Sequence, residues 1–204
     1  MNIISLGVGC GVSVYLNKLS IRTIAYPFDF LWVRTLKNLH HILSDDFVTL
    51  MNKDLHIKIN QTDPNRIHNK FYDDLSDDFN STFAHHNILD SNVFDTYKRR
   101  IERFISIKNE KNIFVTFIID YKNDYTDIIK DYESIPLLMI NKGYVNSKFI
   151  LLIIRKGANS CIEKISESDT RKIYLFTYIN TYGCGSFEGI DEDIIINFFI
   201  TLLQ

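Results

Sequence analysis

The sequence predicts an α/β fold, with residues 1–204 forming a single layered domain in which helices flank a mainly parallel central sheet. Near-continuous runs of Ile, Val, Leu and Phe at 113–119, 148–154 and 173–178 are typical of strands covered on both faces. Segments with helical spacing alternate with these runs. At 204 residues and 46% hydrophobic, the chain can bury a core without disulfides or a structural metal.

The first predicted elements are a strand and a helix joined by a glycine turn. Residues 3–6 form a short apolar run ended by Gly7 and Gly9, which indicates a buried strand entering a tight turn. Apolar residues then recur at helical spacing from Cys10 to Leu19. Cys10 is therefore expected at or beside the N-terminus of the first helix.

The middle of the chain is less regular. We expect a strand over 24–26, ended by Pro27, and a helix over 36–43. Residues 52–80 are polar and contain many Asp and Asn residues, which indicates a long loop with weak strands. Residues 81–86 are predicted to form a further strand.

A strongly amphipathic pattern predicts a helix over 91–107 with Ser91 as its N-cap. Because an arginine buried without a partner is costly, we expect Arg100 to meet a carboxylate or backbone carbonyls, which gives it a structural role. A helix over 125–132 and a closing helix over 191–203 complete the alternation. The residues expected to face the core from helix 91–107 are Val93, Phe94, Tyr97, Ile101, Phe104 and Ile105.

Composition and spacing exclude several function classes. A net charge of −2 removes the broad basic surface that sequence-independent nucleic-acid binding requires, so no nucleic-acid partner is expected. No apolar stretch approaches the roughly 20 residues that span a bilayer, so we expect no membrane association. Gly7, Gly9 and Gly11 do not follow the dinucleotide fingerprint, and Leu16 stands where cysteine phosphatases carry an arginine. No cofactor and no metal site are expected.

The number and spacing of the cysteines indicate a reducing compartment. Cys10, Cys161 and Cys184 are odd in number and form no CxxC pair. The first residues lack the basic region of a signal peptide, so we expect a cytoplasmic protein. Heavy use of Ile, Asn, Lys and Asp is typical of AT-rich genes, such as those of large DNA viruses and some bacteria. In the viral case the location is the host cytoplasm.

Cys10 is the best candidate for a chemically active group. Backbone N–H groups and the dipole at a helix N-terminus favour a thiolate over the neutral thiol. The same N–H groups can stabilise an oxyanion. The alternative is that Cys10 is a small buried apolar residue.

A cysteine nucleophile needs a base, and His85 or His86 is the best candidate. They end a short apolar segment, and strand alternation would point them to opposite faces, so only one is expected to face Cys10. Asp29, just after Pro27, is a candidate for orienting the imidazole, or else a turn cap. The remaining histidines, His40, His41, His56 and His68, are expected on a solvated helix face and in a polar loop.

Four motifs, taken in order, resemble the putative papain-like cysteine peptidase family, a group of mostly uncharacterised bacterial and viral domains. They are Ile4-Ser5-Leu6-Gly7-x-x-Cys10, Tyr26-Pro27-Phe28-Asp29-Phe30, Phe83-Ala84-His85, and the stretch from Tyr97 to Phe104. The resemblance implies Cys10 as nucleophile and His85 as its partner. It also implies an α+β papain-like architecture as the alternative fold.

The function predicted from these observations is a cysteine hydrolase acting on a peptide, isopeptide or other acyl bond of a peptide or protein substrate. In this hypothesis Cys10 attacks, His85 shuttles the proton and Asp29 orients His85. The alternative is a non-catalytic α/β interaction module, viral and host-directed, in which the motif residues only shape a pocket at the strand ends.

Overall fold

A computed structural model describes residues 1–59, 63–76, 81–180 and 186–202. Its main sheet has five strands, β1 (Asn2–Ser5), β4 (Asn112–Ile119), β5 (Ser147–Lys156), β6 (Cys161–Glu167) and β7 (Arg171–Tyr178). Their order across the sheet is β1-β4-β5-β7-β6. The mainly parallel central sheet predicted from the sequence is confirmed, since the β1–β4, β4–β5 and β5–β7 pairs are parallel and the β6–β7 pair is antiparallel.

Helices cover both faces of the sheet. A 3₁₀ turn at Lys53–Leu55 and a small antiparallel pair, β2 (His56–Ile57) with β3 (His68–Asn69), lie between the second and third helices. The helices are α1 (Gly11–Lys18), α2 (Leu36–Ser44), α3 (Ser91–Ser106), α4 (Thr126–Asn141) and α5 (Ile190–Leu202).

Strand alternation divides the core into two layers. Phe149, Leu151 and Ile153 of β5 face the layer built with α2, α3 and α4, whereas their neighbours Ile150 and Leu152 face the layer built with α1 and α5. Because both faces of the central strands are covered, apolar residues follow one another without interruption. This explains why continuous apolar runs predicted these strands.

Helix α3 forms nearly as predicted. Its N-cap is Asp90 rather than Ser91, because the Asp90 carboxylate accepts hydrogen bonds from the first-turn N–H groups of Asn92 and Val93. Ile105 is 39% exposed, so its predicted core position is wrong. The buried stripe consists of Phe94, Tyr97, Ile101 and Phe104.

Three other predictions differ from the structure. Residues 24–26 form an irregular segment, and residues 81–86 contribute a single bridge between Phe83 and Ile67 instead of a strand. Helix α4 continues through Pro136 to Asn141, well beyond the predicted end at 132. Strand β6 was not predicted, because its polar residues interrupt the apolar run that marks the other strands.

The second layer joins the two ends of the chain. Tyr15 of α1 stacks on Phe199 of α5, and the backbone N–H of Phe187 donates a hydrogen bond to the Tyr15 hydroxyl. In the described ranges, no helix is both long and apolar enough to cross a membrane. Cys184 lies outside the described residues, as does the rest of 181–185.

Candidate functional site

The turn after β1 presents Cys10 at the carboxyl end of the sheet. Gly7 and Val8 both have a left-handed backbone, with φ of 58° and 75°. A Cβ on Gly7 would lie 3.1 Å from Phe28 Cδ1, so only glycine fits this turn without strain. Val8 is β-branched and rarely adopts positive φ, and such strain is commonly stored at functional sites.

Cys10 is the N-cap residue of α1. Its backbone φ and ψ are −78° and −11°, and its carbonyl accepts the hydrogen bond from Val14 N–H that opens the helix. The side chain is half-buried. At this position the partial positive charge of the helix N-terminus favours a thiolate, and the backbone N–H groups of the first turn are suitable donors to an oxyanion.

Asp29 is buried, with 1% of its surface exposed, and it joins its own segment to α1. One carboxylate oxygen accepts a hydrogen bond from the hydroxyl of Ser13, one helical turn after Cys10. The other accepts from Arg22 Nε at 2.9 Å and from the backbone N–H of Tyr26 at 2.8 Å. These bonds fix the position of the Pro27–Asp29 segment against the helix that begins at Cys10.

His85 is exposed and is connected to Asp29 through two intermediate residues. The Arg22 guanidinium lies over the ring of Phe30, 5.5 Å from its centroid. The His85 ring meets the same Phe30 ring edge-on, with centroids 6.3 Å apart. Among the described contacts, Asp29 makes no direct hydrogen bond to His85. The two residues are linked indirectly, because Arg22 binds Asp29 and lies over Phe30, on which His85 packs.

His86 makes a partly buried polar contact with α3. Its Nδ1 lies 3.1 Å from the hydroxyl of Tyr97, a fully buried residue of α3. Burial, followed by the charges of Arg100, His85 and Arg22, lowers the pKa of His86 to about 4. His86 is therefore neutral near neutral pH. Burial raises the pKa of Tyr97, which keeps its proton.

Arg100 extends this cluster on α3. Its guanidinium lies 5.1 Å from the centroid of the Tyr97 ring, and its charge contributes to the low pKa of His86. The Nη1 atom is buried and has no hydrogen-bond partner in the part of the chain that the structure describes. Among the described residues, neither a carboxylate nor a backbone carbonyl is hydrogen-bonded to Nη1, so the predicted partner is not found in that part of the chain.

Several residues of the site carried no clear signal in the sequence. Ser13 and Arg22 both bind Asp29, but a single serine in a helix and a single arginine after it match no motif. Tyr97 was predicted as a core residue only, although its hydroxyl contacts His86. An amphipathic pattern predicts that a tyrosine is buried, but it does not show which polar group the hydroxyl meets.

The other histidines lie away from these contacts. His56 and His68, predicted in a polar loop, are buried on the β2–β3 pair, and His56 Nε2 contacts the carbonyl of Leu50 at 2.8 Å. His41 Nδ1 contacts the hydroxyl of Tyr72 at 3.0 Å. Within the described ranges, no group of three or more His, Cys, Asp or Glu residues is arranged to hold a metal ion.

Comparison with known proteins identifies the family. No curated protein and no solved structure matches the chain. A family model described as putative papain-like cysteine peptidase matches residues 1–148. The match includes the turn that carries Cys10, the Asp29 segment, both neighbouring histidines and the whole of α3. The chain therefore belongs to the putative papain-like cysteine peptidase family.

Proposed function

We propose that the protein is a cysteine hydrolase that acts on a peptide, isopeptide or other acyl bond, with Cys10 as its nucleophile. The observation that carries the proposal is the position of Cys10 as N-cap of α1, directly after the left-handed turn at Gly7 and Val8. A thiolate is stabilised there, and donors for an oxyanion lie next to it. Family membership supports the same general chemistry.

His85 is the proposed base, because the neighbouring histidine is poorly suited to the role. His86 is half-buried, is held by Tyr97 and has a pKa of about 4, which makes it a weak base near neutral pH. His85 is exposed, and its ring rests against Phe30. We assign Asp29 a positioning role, in which it holds Arg22 and, through Phe30, the surface on which His85 packs.

The proposed reaction has two steps. The Cys10 thiolate attacks the acyl carbon, the C–N or C–O bond breaks, and protonated His85 gives its proton to the leaving group. This leaves a thioester on Cys10. A water molecule then loses a proton to His85 and attacks the thioester, which releases the carboxylic acid and restores the thiolate. The α1 N–H groups stabilise the oxyanion in both steps.

Covalent labelling tests the proposal. Peptidyl vinyl sulfone probes are incubated with wild type, Cys10→Ala, Cys161→Ala and His85→Ala, and adducts are located by mass spectrometry. We expect labelling on Cys10, its loss in Cys10→Ala, its retention in Cys161→Ala, and a rate lowered about 100-fold or more in His85→Ala. If folded protein shows no preferential labelling of Cys10, the non-catalytic interaction module is the better assignment.

A further inference from the structure

Arg100 carries a charge that its surroundings do not neutralise. Its side chain is half-buried on α3, and Nη1 has no hydrogen-bond partner among the described protein groups. In the described ranges Arg100 makes no ion pair, whereas Arg22 is paired with the buried carboxylate of Asp29 at 2.9 Å. Removing a guanidinium from water without a counter-charge is costly. Arg100 is therefore suited to meet an anion supplied from outside the protein.

The groups around Arg100 are compatible with an anion. The Arg100 guanidinium lies over the Tyr97 ring, and the Tyr97 hydroxyl contacts His86. The positive charge of Arg100 contributes to the low pKa of His86. The neutral imidazole of His86 has one N–H and the Tyr97 hydroxyl has one hydrogen, so both are polar but uncharged groups. His85 directly precedes His86 in the chain, and its ring packs on Phe30, over which Arg22 lies, so contacts connect Arg100 to the proposed base.

We propose that Arg100 binds a carboxylate of the substrate, so that the hydrolase prefers acyl bonds close to an acidic side chain or to a C-terminal carboxylate. This inference rests on the proposed function, because it assigns the substrate class of the same site. A guanidinium presents two parallel N–H donors that match the two oxygens of a carboxylate. Since the charge is delocalised over the planar group, a carboxylate on its accessible edge also compensates the buried edge.

The first experiment measures binding without catalysis. N-acetylglycine and N-acetylglycinamide have nearly the same shape, but only the first carries a carboxylate. Binding is followed through the His86 ring signals in NMR and through the melting temperature, at constant ionic strength. We expect N-acetylglycine to bind at least about tenfold more tightly than the amide, and Arg100→Gln to abolish this preference. Arg99→Gln is the matched control, because Arg99 is exposed and donates a hydrogen bond to Thr96 on its own helix.

The second experiment relates the anion site to Cys10. N-iodoacetylglycine and its amide alkylate thiols by displacement of iodide. The rate with the carboxylate reagent divided by the rate with the amide reports a carboxylate preference near each cysteine. We expect this ratio to be about tenfold higher at Cys10 than at Cys161, to be lost in Arg100→Gln and to be partly kept in Arg100→Lys.

The outcomes separate this inference from the proposed function. A carboxylate preference in Arg100→Gln equal to that of wild type overturns the inference, and so does a Cys10 ratio no higher than that of Cys161. The assignment to a carboxylate would also be overturned if inorganic phosphate displaced N-acetylglycine and bound more tightly than N-acetylglycine does. None of these results depends on turnover. If both glycine experiments succeed but the peptidyl vinyl sulfone probes never label Cys10, the proposed hydrolase activity fails instead.

Discussion

The Ser13 hydroxyl donates a 2.9 Å hydrogen bond to the buried carboxylate of Asp29. This contact connects α1, one turn after Cys10, to the segment that follows Pro27. The same carboxylate holds Arg22, whose guanidinium lies on Phe30 next to His85. Asp29 thus connects the helix of the proposed nucleophile to the surface that supports the proposed base.

Asp29→Ala should destabilise the protein more than Ser13→Ala. Removing the carboxylate leaves the half-buried Arg22 unpaired and also removes the acceptor of the Tyr26 N–H, and breaking a buried pair costs about 3–5 kcal/mol. Ser13→Ala removes one hydrogen bond, worth about 1 kcal/mol. Urea unfolding measures both free energies. Equal losses of unfolding free energy in the two variants would show that the Asp29 contacts with Arg22 and Tyr26 do not contribute to stability.

The Asp29 contacts also show which features of the site could not be predicted from the sequence. Cys10 at the start of a helix follows from an apolar run, glycines and helical spacing, all of which are local patterns. Arg22 with Asp29, and His86 with Tyr97, are pairs between irregular segments or between a loop and a helix. Periodicity carries no information about such pairs, because side-chain partners there depend on how the segments pack.

The strands of the main sheet also differ in whether the sequence predicted them. Strands β4, β5 and β7 are buried on both faces and were predicted from continuous apolar runs. Edge strand β6 has only half-buried and exposed residues, so neither a continuous run nor a clear alternation marks it. Helix α4 extends nine residues beyond the predicted end at 132 and contains Pro136, a residue that usually disrupts a helix interior.

Gly7→Ala should destabilise the protein, whereas Gly9→Ala should not. Gly7 has φ of 58°, and an added Cβ would meet Phe28 Cδ1 at 3.1 Å and Val33 Cγ2 at 3.2 Å. The left-handed backbone alone costs an alanine about 1–2 kcal/mol. A Cβ on Gly9 meets nothing within 4 Å. We therefore expect urea unfolding to show a loss of about 2 kcal/mol for Gly7→Ala and a change within about 1 kcal/mol for Gly9→Ala. Similar losses in both would argue against this turn geometry.

His86 should make stability depend on pH. Its pKa is about 4 in the folded protein against the ordinary histidine value of 6.5, so the unfolded chain binds more protons between these pH values. Stability is therefore greatest above pH 6.5 and falls as the pH is lowered towards 4, by on the order of 2 kcal/mol from this residue.

His86→Gln tests this dependence. Urea unfolding free energies of wild type and variant are measured across the same pH range, and we expect a shallower loss in His86→Gln. Burial also lowers the pKa of His56, but that residue is present in both proteins and cancels in the difference. Parallel curves for the two proteins would show that His86 is not held neutral.

Cys10 should react with iodoacetamide faster than Cys161 near neutral pH. Both thiols are half-buried, which makes them a matched pair, but their electrostatic surroundings differ. Cys10 begins α1, where the helix N-terminus favours the thiolate. Cys161 lies on β6, and its thiol donates a 3.8 Å hydrogen bond to a carboxylate oxygen of Glu163. We expect about a tenfold difference in rate.

Cys184→Ser is used as the background, so that only the Cys10 and Cys161 thiols are followed. Each alkylation site is quantified by mass spectrometry over a range of pH, first in the native protein and then in guanidinium chloride. Because unfolding removes the helix N-terminus, the difference between the two thiols should disappear in denaturant. If the rates are already equal in the native protein, the α1 N-terminus does not activate Cys10. The proposed nucleophile would then lack its electrostatic basis.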